Sequence, residues 1–318
     1  MVTGGAGFIG SHLSERLISD GHSVTVIDNF STGRASNLAN LTGIENFVLV
    51  EGSILDLEVL KPLIDDADYV FHLAAAVGVF NIVNNPLASL LTNIRGTENV
   101  LEAAHATKTP VFLTSSSEVY GKNISDSLKE SDDRILGSPV TLRWSYSEAK
   151  AIDESLAYAY YIEKQLETRI VRFFNTVGPR QLGAYGMVVP RFVKAALANE
   201  PITIYGDGNQ TRCFAHVYDV LDAVLAIAFA NNTIGKVINI GNDFEISING
   251  LAKRIVDETK SKSDIVYVPY AEAYGEGFED MERRVPNIDL ISQLVGWKPK
   301  RDLSAMIADI SAEMKKSS

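Results

Sequence analysis

Tyr146 and Lys150 stand four residues apart in Tyr146-Ser147-Glu148-Ala149-Lys150, and on a helix that spacing turns two side chains to one face. A phenol and an ammonium facing one ligand suit proton transfer to and from a hydroxyl. Because free tyrosine titrates near about 10, a phenolate at about pH 7 requires roughly 4 kcal/mol of preferential stabilisation. The expected sources are the lysine and a cationic cofactor ring. Alone, the pair is also compatible with a solvated helix face. Its weight comes from what precedes it, above all Thr114-Ser115-Ser116-Ser117-Glu118-Val119-Tyr120-Gly121. There an apolar run ends in hydroxyls, a carboxylate and an aromatic, and strand ends of this kind form ligand crevices. The plain alternative is a serine-rich turn capping a helix.

The first residues supply a third element. Thr3-Gly4-Gly5-Ala6-Gly7-Phe8-Ile9-Gly10 satisfies GxGxxG at Gly5, Gly7 and Gly10, and GxxGxxG at Gly4, Gly7 and Gly10. Either spacing permits a tight strand-to-helix turn whose N–H groups approach a pyrophosphate. The loop follows a short apolar strand and opens an amphipathic helix with Leu13, Leu17 and Ile18 on one face, and Asp28 closes the next strand. That context predicts dinucleotide binding. Asp28 is expected to accept from adenosine ribose hydroxyls and to repel a 2′-phosphate, so NAD is expected rather than NADP; Arg34 reads as a solvated loop charge.

The elements that must position these groups follow from patterning. Ser23–Asp28, Asn46–Val50, Tyr69–Leu73, Pro110–Ser115 and Thr168–Phe173 read as strands alternating with helices, which predicts an α/β fold with a doubly wound parallel sheet of Rossmann type. Their Val, Ile, Leu and Phe content implies cover on both faces. Past Asn175 the chain turns to Gly- and Pro-bearing loops, including Val177–Gly186 and Tyr205–Gly208, and to helices at Val189–Asn199 and Asn249–Thr259. Lys236–Gly241 reads as a strand returning to the first sheet. The expected division is therefore interleaved: residues 1–172 and 213–244 form a dinucleotide-binding domain, and 173–212 and 245–318 a smaller C-terminal α/β substrate domain.

Composition limits the partners. A formal charge of −11 opposes nucleic acid, whose binding rests on Lys and Arg neutralising phosphates. One cysteine, Cys213, forms no internal disulfide, and no long apolar run is present; a cytoplasmic protein without membrane partners is expected. The five histidines, His12, His22, His72, His105 and His216, lack ligand spacing, so no metal site is expected.

Together TGGAGFIG, DNFSTG (Asp28–Gly33), FHLAA (Phe71–Ala75), SSSEVYG, YSEAK, FFNTVGPRQ (Phe173–Gln181) and YGDGNQTRCFAHVYDV (Tyr205–Val220) resemble the extended short-chain dehydrogenase/reductases that modify nucleotide sugars. The resemblance spans nearly the whole chain. It implies an NAD-dependent enzyme in which Gly4, Gly7, Phe8, Ile9, Gly10, Asp28, Asn29, Ser31, Thr32, Gly33, Ser53, Ile54, Leu73, Ala74, Ala75 and Asn93, with Tyr146 and Lys150, meet the cofactor. Ser53 departs from the acidic residue that many members place against adenine. Asn175 and Arg212 are implied to hold the substrate pyrophosphate, and Val188–Phe192, among them Val188, Val189 and Arg191, to flank the nucleobase; Tyr205 is implied to be a further substrate-binding residue. A homodimer through the helices near Leu87–Ala104 and Ala151–Glu163 is likewise implied.

Which reaction follows oxidation depends on fewer residues. The resemblance implies that Ser116 is the catalytic hydroxyl. The Ser117–Glu118 pair after it is similar to UDP-glucuronate decarboxylases and GDP-mannose 4,6-dehydratases; 4-epimerases usually carry small or neutral residues there. Tyr274–Pro286 resembles the decarboxylase region with an arginine two before a proline, here Arg284. The expected catalytic set is Tyr146, Lys150, Ser116, Ser117, Glu118 and Arg284, acting on a UDP-linked uronate. UDP-sugar 4-epimerisation, 4,6-dehydration and a non-catalytic NAD(H) sensor stay open as alternatives.

Overall fold

A computed structural model of the chain describes residues 1–78, 82, 84–183, 187–274 and 281–316. The expected Tyr274–Pro286 region therefore lies partly outside the described residues, as does the end of the Val177–Gly186 loop. Six strands, β1 (Val2–Thr3), β2 (Val24–Asp28), β3 (Phe47–Glu51), β4 (Val70–His72), β5 (Val111–Ser116) and β6 (Thr168–Phe173), join a seventh at Val237–Ile240. The spatial order is the seventh strand, then β6, β5, β4, β1, β2 and β3. All neighbours are parallel. Parallel strands need crossovers, and the intervening helices cover both faces. On one side Phe8–Ser19 and Val217–Ala228 pack with Val2, Val26, Phe112 and Val171. On the other, Leu57–Asp65, Pro86–Thr107 and Ser145–Lys164 cover Ile27, Val111, Leu113 and Ile170. Full burial of such side chains contributes about 1.5–3 kcal/mol each.

Strand ends lie within about a residue of the sequence expectation, the usual uncertainty of such boundaries. One expectation fails: β3 is not covered on both faces. It is the edge strand, with Val48 51% and Leu49 39% exposed, because only one neighbour and no outer crossover reach it.

The order reverses between β1 and β4, each of which pairs with the other, and ligands of open parallel sheets bind beyond the strand ends at that switch. After β6 the chain builds a second region with its own core. Val189, Phe192, Ile202, Ile204, Leu251, Ile255 and Ile307 pack there. Its strands are short pairs, Ile202–Tyr205 parallel with Ile265–Val268 and Thr211–Cys213 antiparallel with Glu245–Ser247.

Candidate active site

A cavity of about 500 Å³ runs along the sheet's C-terminal edge and on beneath the second region. Its first end is the glycine loop. Gly4 has φ +70, and a Cβ there would meet Ala74 N at 2.7 Å; one on Gly10 would meet Gly4 O at 2.2 Å. Only hydrogen fits at either position. The loop can thus close directly into Phe8–Ser19, whose first turn lines the cavity and holds no acidic residue. Its leading N–H groups lack partners within the helix and make an anion site.

Asp28 sits at the end of β2 with Oδ2 accepting from Ala6 N and Oδ1 from Phe30 N, each at 2.8 Å. One acceptor site is used on each oxygen, and the carboxylate, oriented by the backbone, lines the cavity with lone pairs left for a vicinal diol. Arg34 is outside the cavity, against Asn37 Oδ1 at 3.5 Å. The donor set therefore fits a dinucleotide with an unphosphorylated ribose.

All but two of the sequence-derived residues line this one cavity. Asn93 does not: it is 1% exposed, and its amide accepts from Ala76 N at 2.7 Å and donates to Ala76 O at 3.2 Å. It shapes the wall from behind. Gly33 is also behind the wall, where a Cβ would meet Asp28 Oδ2 at 2.9 Å. Tight packing against Asp28 and Ala6 leaves no room for a side chain there.

At the middle of the cavity Tyr146, at the start of Ser145–Lys164, meets the end of β5. Ser116 is its hydrogen-bond partner. The expected lowering of the Tyr146 pKa is not produced by the protein's own groups. Burial pushes the phenol well above its ordinary value, and the charges of Glu118 and Asp153 add to the rise. Lys150, 2% exposed, places Nζ 3.1 Å from Asp153 Oδ2. The ammonium is thus shared with a carboxylate that the sequence motif did not flag. His72 is structural: buried between Thr3 Oγ1 at 2.8 Å and Thr97 Oγ1 at 3.2 Å, it is pushed down to about 3 by burial and by Lys150.

Glu118 forms the other half of the centre. Arg143 Nη1 donates to its Oε2 at 2.6 Å and Arg284 Nη1 to its Oε1 at 2.8 Å. Arg284 Nη1 also reaches Ser117 Oγ at 3.2 Å. Burial alone would raise the Glu118 pKa, but the two guanidiniums overcome it and hold the carboxyl near about 2. Ser147 Oγ donates to Glu118 O at 2.7 Å, tying this turn to the Tyr146 helix. Sequence reasoning missed Arg143; its one signal was a place three residues before Tyr146.

Toward the second region, Asn175 Nδ2 donates to Cys213 O at 3.0 Å, and Arg212 is held by Thr211 O at 2.8 Å. Arg191 lies over the Tyr205 ring at 4.1 Å and donates to Thr203 O at 3.1 Å. With Val188 and Val189 they line the far end, joined by Gln210 and Tyr270, which sequence reading did not single out. Among the described residues no cluster of His, Cys, Asp and Glu is placed to hold a metal ion, and no helix is long and apolar enough to cross a membrane.

A nucleotide loop after the first strand and a tyrosine–lysine helix reaching the end of the fifth occur together in the extended short-chain dehydrogenase/reductases, and this chain is an enzyme of that class. Within it the chain belongs to the GDP-mannose 4,6 dehydratase family, which it matches over residues 1–310. It is 42% identical over 300 residues to a UDP-N-acetyl-alpha-D-glucosaminuronate decarboxylase of Bacillus cytotoxicus, covering 94% of this chain and 92% of that one. It is 37% identical over 301 residues to UDP-glucuronic acid decarboxylase 1 of Xenopus tropicalis, covering 94% and 68%. Among solved structures, a UDP-glucuronic acid 4-epimerase from Bacillus cereus, in complex with UDP-glucuronic acid and NAD, superposes with a TM-score of 0.89 at 29% identity, covering 100% and 99%.

Proposed function

We propose that the enzyme decarboxylates a UDP-linked hexuronate, UDP-glucuronate or its 2-acetamido counterpart, through a transient 4-ketone. The observation that carries this reading is Arg284, a buried guanidinium beside Ser117 and Glu118 in the cavity that also holds Tyr146 and Ser116. An arginine there offers a carboxylate paired, directed donors. The curated decarboxylases to which the chain is similar act on such acids.

The glycine loop, Asp28 and the Leu73–Ala75 wall would hold NAD, which when bound would supply reversible hydride transfer at carbon 4. Tyr146 accepts the 4-hydroxyl proton, relayed through its hydrogen bond with Ser116. The resulting ketone lies beta to the carboxylate, so carbon dioxide leaves as the bonding electrons enter an enolate. Tyr146 and Ser116 then donate to the enolate oxygen. Arg284 orients the departing carboxylate, and Glu118 places the water that reprotonates carbon 5. Asn175 and Arg212 bind the pyrophosphate, and Val188, Val189, Arg191 and Tyr205 flank the uracil. Residues 1–172 and 213–244 carry the cofactor, and 173–212 and 245–318 the nucleotide sugar.

Exposed Leu87, Ile152, Tyr158 and Ile162 on two adjacent helices favour a homodimer, and the expected setting is cytoplasmic. The test is incubation with NAD and either uronate, reading carbon dioxide and sugar product. A UDP-pentose is expected from at least one. A product that keeps its carboxylate and differs only at carbon 4, or a 4-keto-6-deoxy sugar from a neutral hexose, overturns the reading.

A further inference from the structure

We propose that Arg143 is a positioning residue, retaining Glu118 beside Tyr146 when a substrate carboxylate draws Arg284 onto itself. The proposal rests on the uronate reading above and deepens it: the site then holds two carboxylates, and each has its own arginine.

Four features lead there. The two arginines use different oxygens of Glu118, Oε2 for Arg143 and Oε1 for Arg284, so one bond can open without the other. Arg284 has donor capacity left. It is 7% exposed and lines the cavity, its Nη1 is divided between Glu118 and Ser117, and its Nε is buried without a hydrogen-bond partner among the described residues. An incoming carboxylate can draw on the guanidinium where it lines the cavity, in place of Glu118 Oε1 and Ser117 Oγ.

Arg143, in contrast, belongs to the Tyr146 side of the site. It lies in the Leu142–Trp144 turn that runs into the catalytic helix, 5% exposed and over the fully buried Trp144 ring at 5.5 Å. Ser147, one residue past Tyr146, holds the Glu118 carbonyl at 2.7 Å. Glu118 is therefore anchored by side chain and backbone to the segment that carries Tyr146. Finally, two neighbouring carboxylates cannot both stay ionised cheaply in a buried site. Arg143 supplies the second countercharge that makes their coexistence possible.

The charges facing Tyr146 are Glu118 and, on its own helix, Asp153, which is itself paired with Lys150; those facing Glu118 are Arg143 and Arg284. Loss of Arg143 leaves the Glu118 charge less compensated, so the phenolate becomes harder to form. Steady-state kinetics with NAD and UDP-hexuronate on wild type, Arg143→Met, Arg143→Lys and Arg284→Met test this. For Arg143→Met, kcat should fall about 10- to 100-fold while KM stays within about threefold, as for one lost charged hydrogen bond. Its kcat–pH profile should move about one unit to alkaline pH. Arg143→Lys should recover part of both changes, and Arg284→Met should raise KM. An unchanged kcat, a lower kcat with an unmoved profile, or a rise in KM alone for Arg143→Met overturns the proposal. If Arg143→Met does not fold, a wild-type rate and profile in Arg143→Lys overturn it. Wild type that releases no carbon dioxide defeats the uronate reading and this proposal together, whereas an indifferent Arg143 in an active decarboxylase defeats the proposal alone.

Discussion

Two buried arginine–glutamate clusters adjoin the C-terminal end of β5, and they are built to opposite ends. In the first, Arg172 grips Glu154 with Nε at 2.9 Å and Nη2 at 2.8 Å, Ser115 Oγ adds a bond of 2.5 Å, and the guanidinium lies over Tyr120 at 4.7 Å. Neither charged residue reaches the cavity. In the second, Glu118 meets two arginines with one oxygen each, all three residues line the cavity, and Arg284 Nε is buried without a partner among the described residues. The same residue types thus make a saturated brace at Ser115 and an unsaturated cluster at Ser117. What separates them is access: a pair closed on itself in low dielectric specifies geometry, whereas one that lines a cavity can exchange partners.

The difference is sharpest on removing one carboxylate from each. Glu154→Ala should lower unfolding stability by about 3–5 kcal/mol, because a buried guanidinium loses its partner; chemical denaturation measures it. Glu118→Gln keeps an acceptor for the two arginines but removes the charge, and should lower stability by about 1.5–3 kcal/mol while reducing turnover by about 10²–10³-fold. Equal stability losses would erase the distinction between brace and site.

Acid separates the regions next. Burial holds His72 down to about 3 and His12 to about 4, so the unfolded chain takes up protons first. Their contribution is complete above about pH 6.5 and is lost as pH falls toward those values, about 2–3 kcal/mol from His72 alone by pH 4.5. Glu118, near about 2, contributes above its ordinary carboxylate range and fails only below it. Thermal midpoints should therefore begin to drop below about pH 6.5, with His72→Gln flattening that limb. A first drop only below about pH 4.5 would assign acid lability to the carboxylate clusters instead.

The smallest effect tests the link between the Glu118 turn and the catalytic helix. Ser147→Ala removes the bond to Glu118 O and should cost about 1 kcal/mol, seen as a modest fall in denaturant midpoint. No change would mean that packing alone seats that turn.

Much of this was legible in the residues. The glycine loop, the aspartate closing β2 and the serine-to-glutamate end of β5 announce themselves because each depends on near neighbours along the chain. Asn93 and Gly33 do not line the cavity itself, since a motif records that a residue matters without saying which side of the wall it serves. Tyr146 was expected to be acidified by Lys150 together with a cationic cofactor ring. The fold instead gives that lysine a carboxylate, Asp153, and surrounds the phenol with burial and negative charge.

The sequence by itself determined the parallel sheet, the glycine turn after its first strand and the tyrosine–lysine pair that lines the cavity. Hydrophobic period, glycine geometry and helical spacing are local quantities, readable a few residues at a time. Only the tertiary structure decided that Arg143 and Arg284, separated from Glu118 by 25 and 166 positions, converge on one carboxylate. Charge energies depend on distance and desolvation in space, and no linear spacing encodes either.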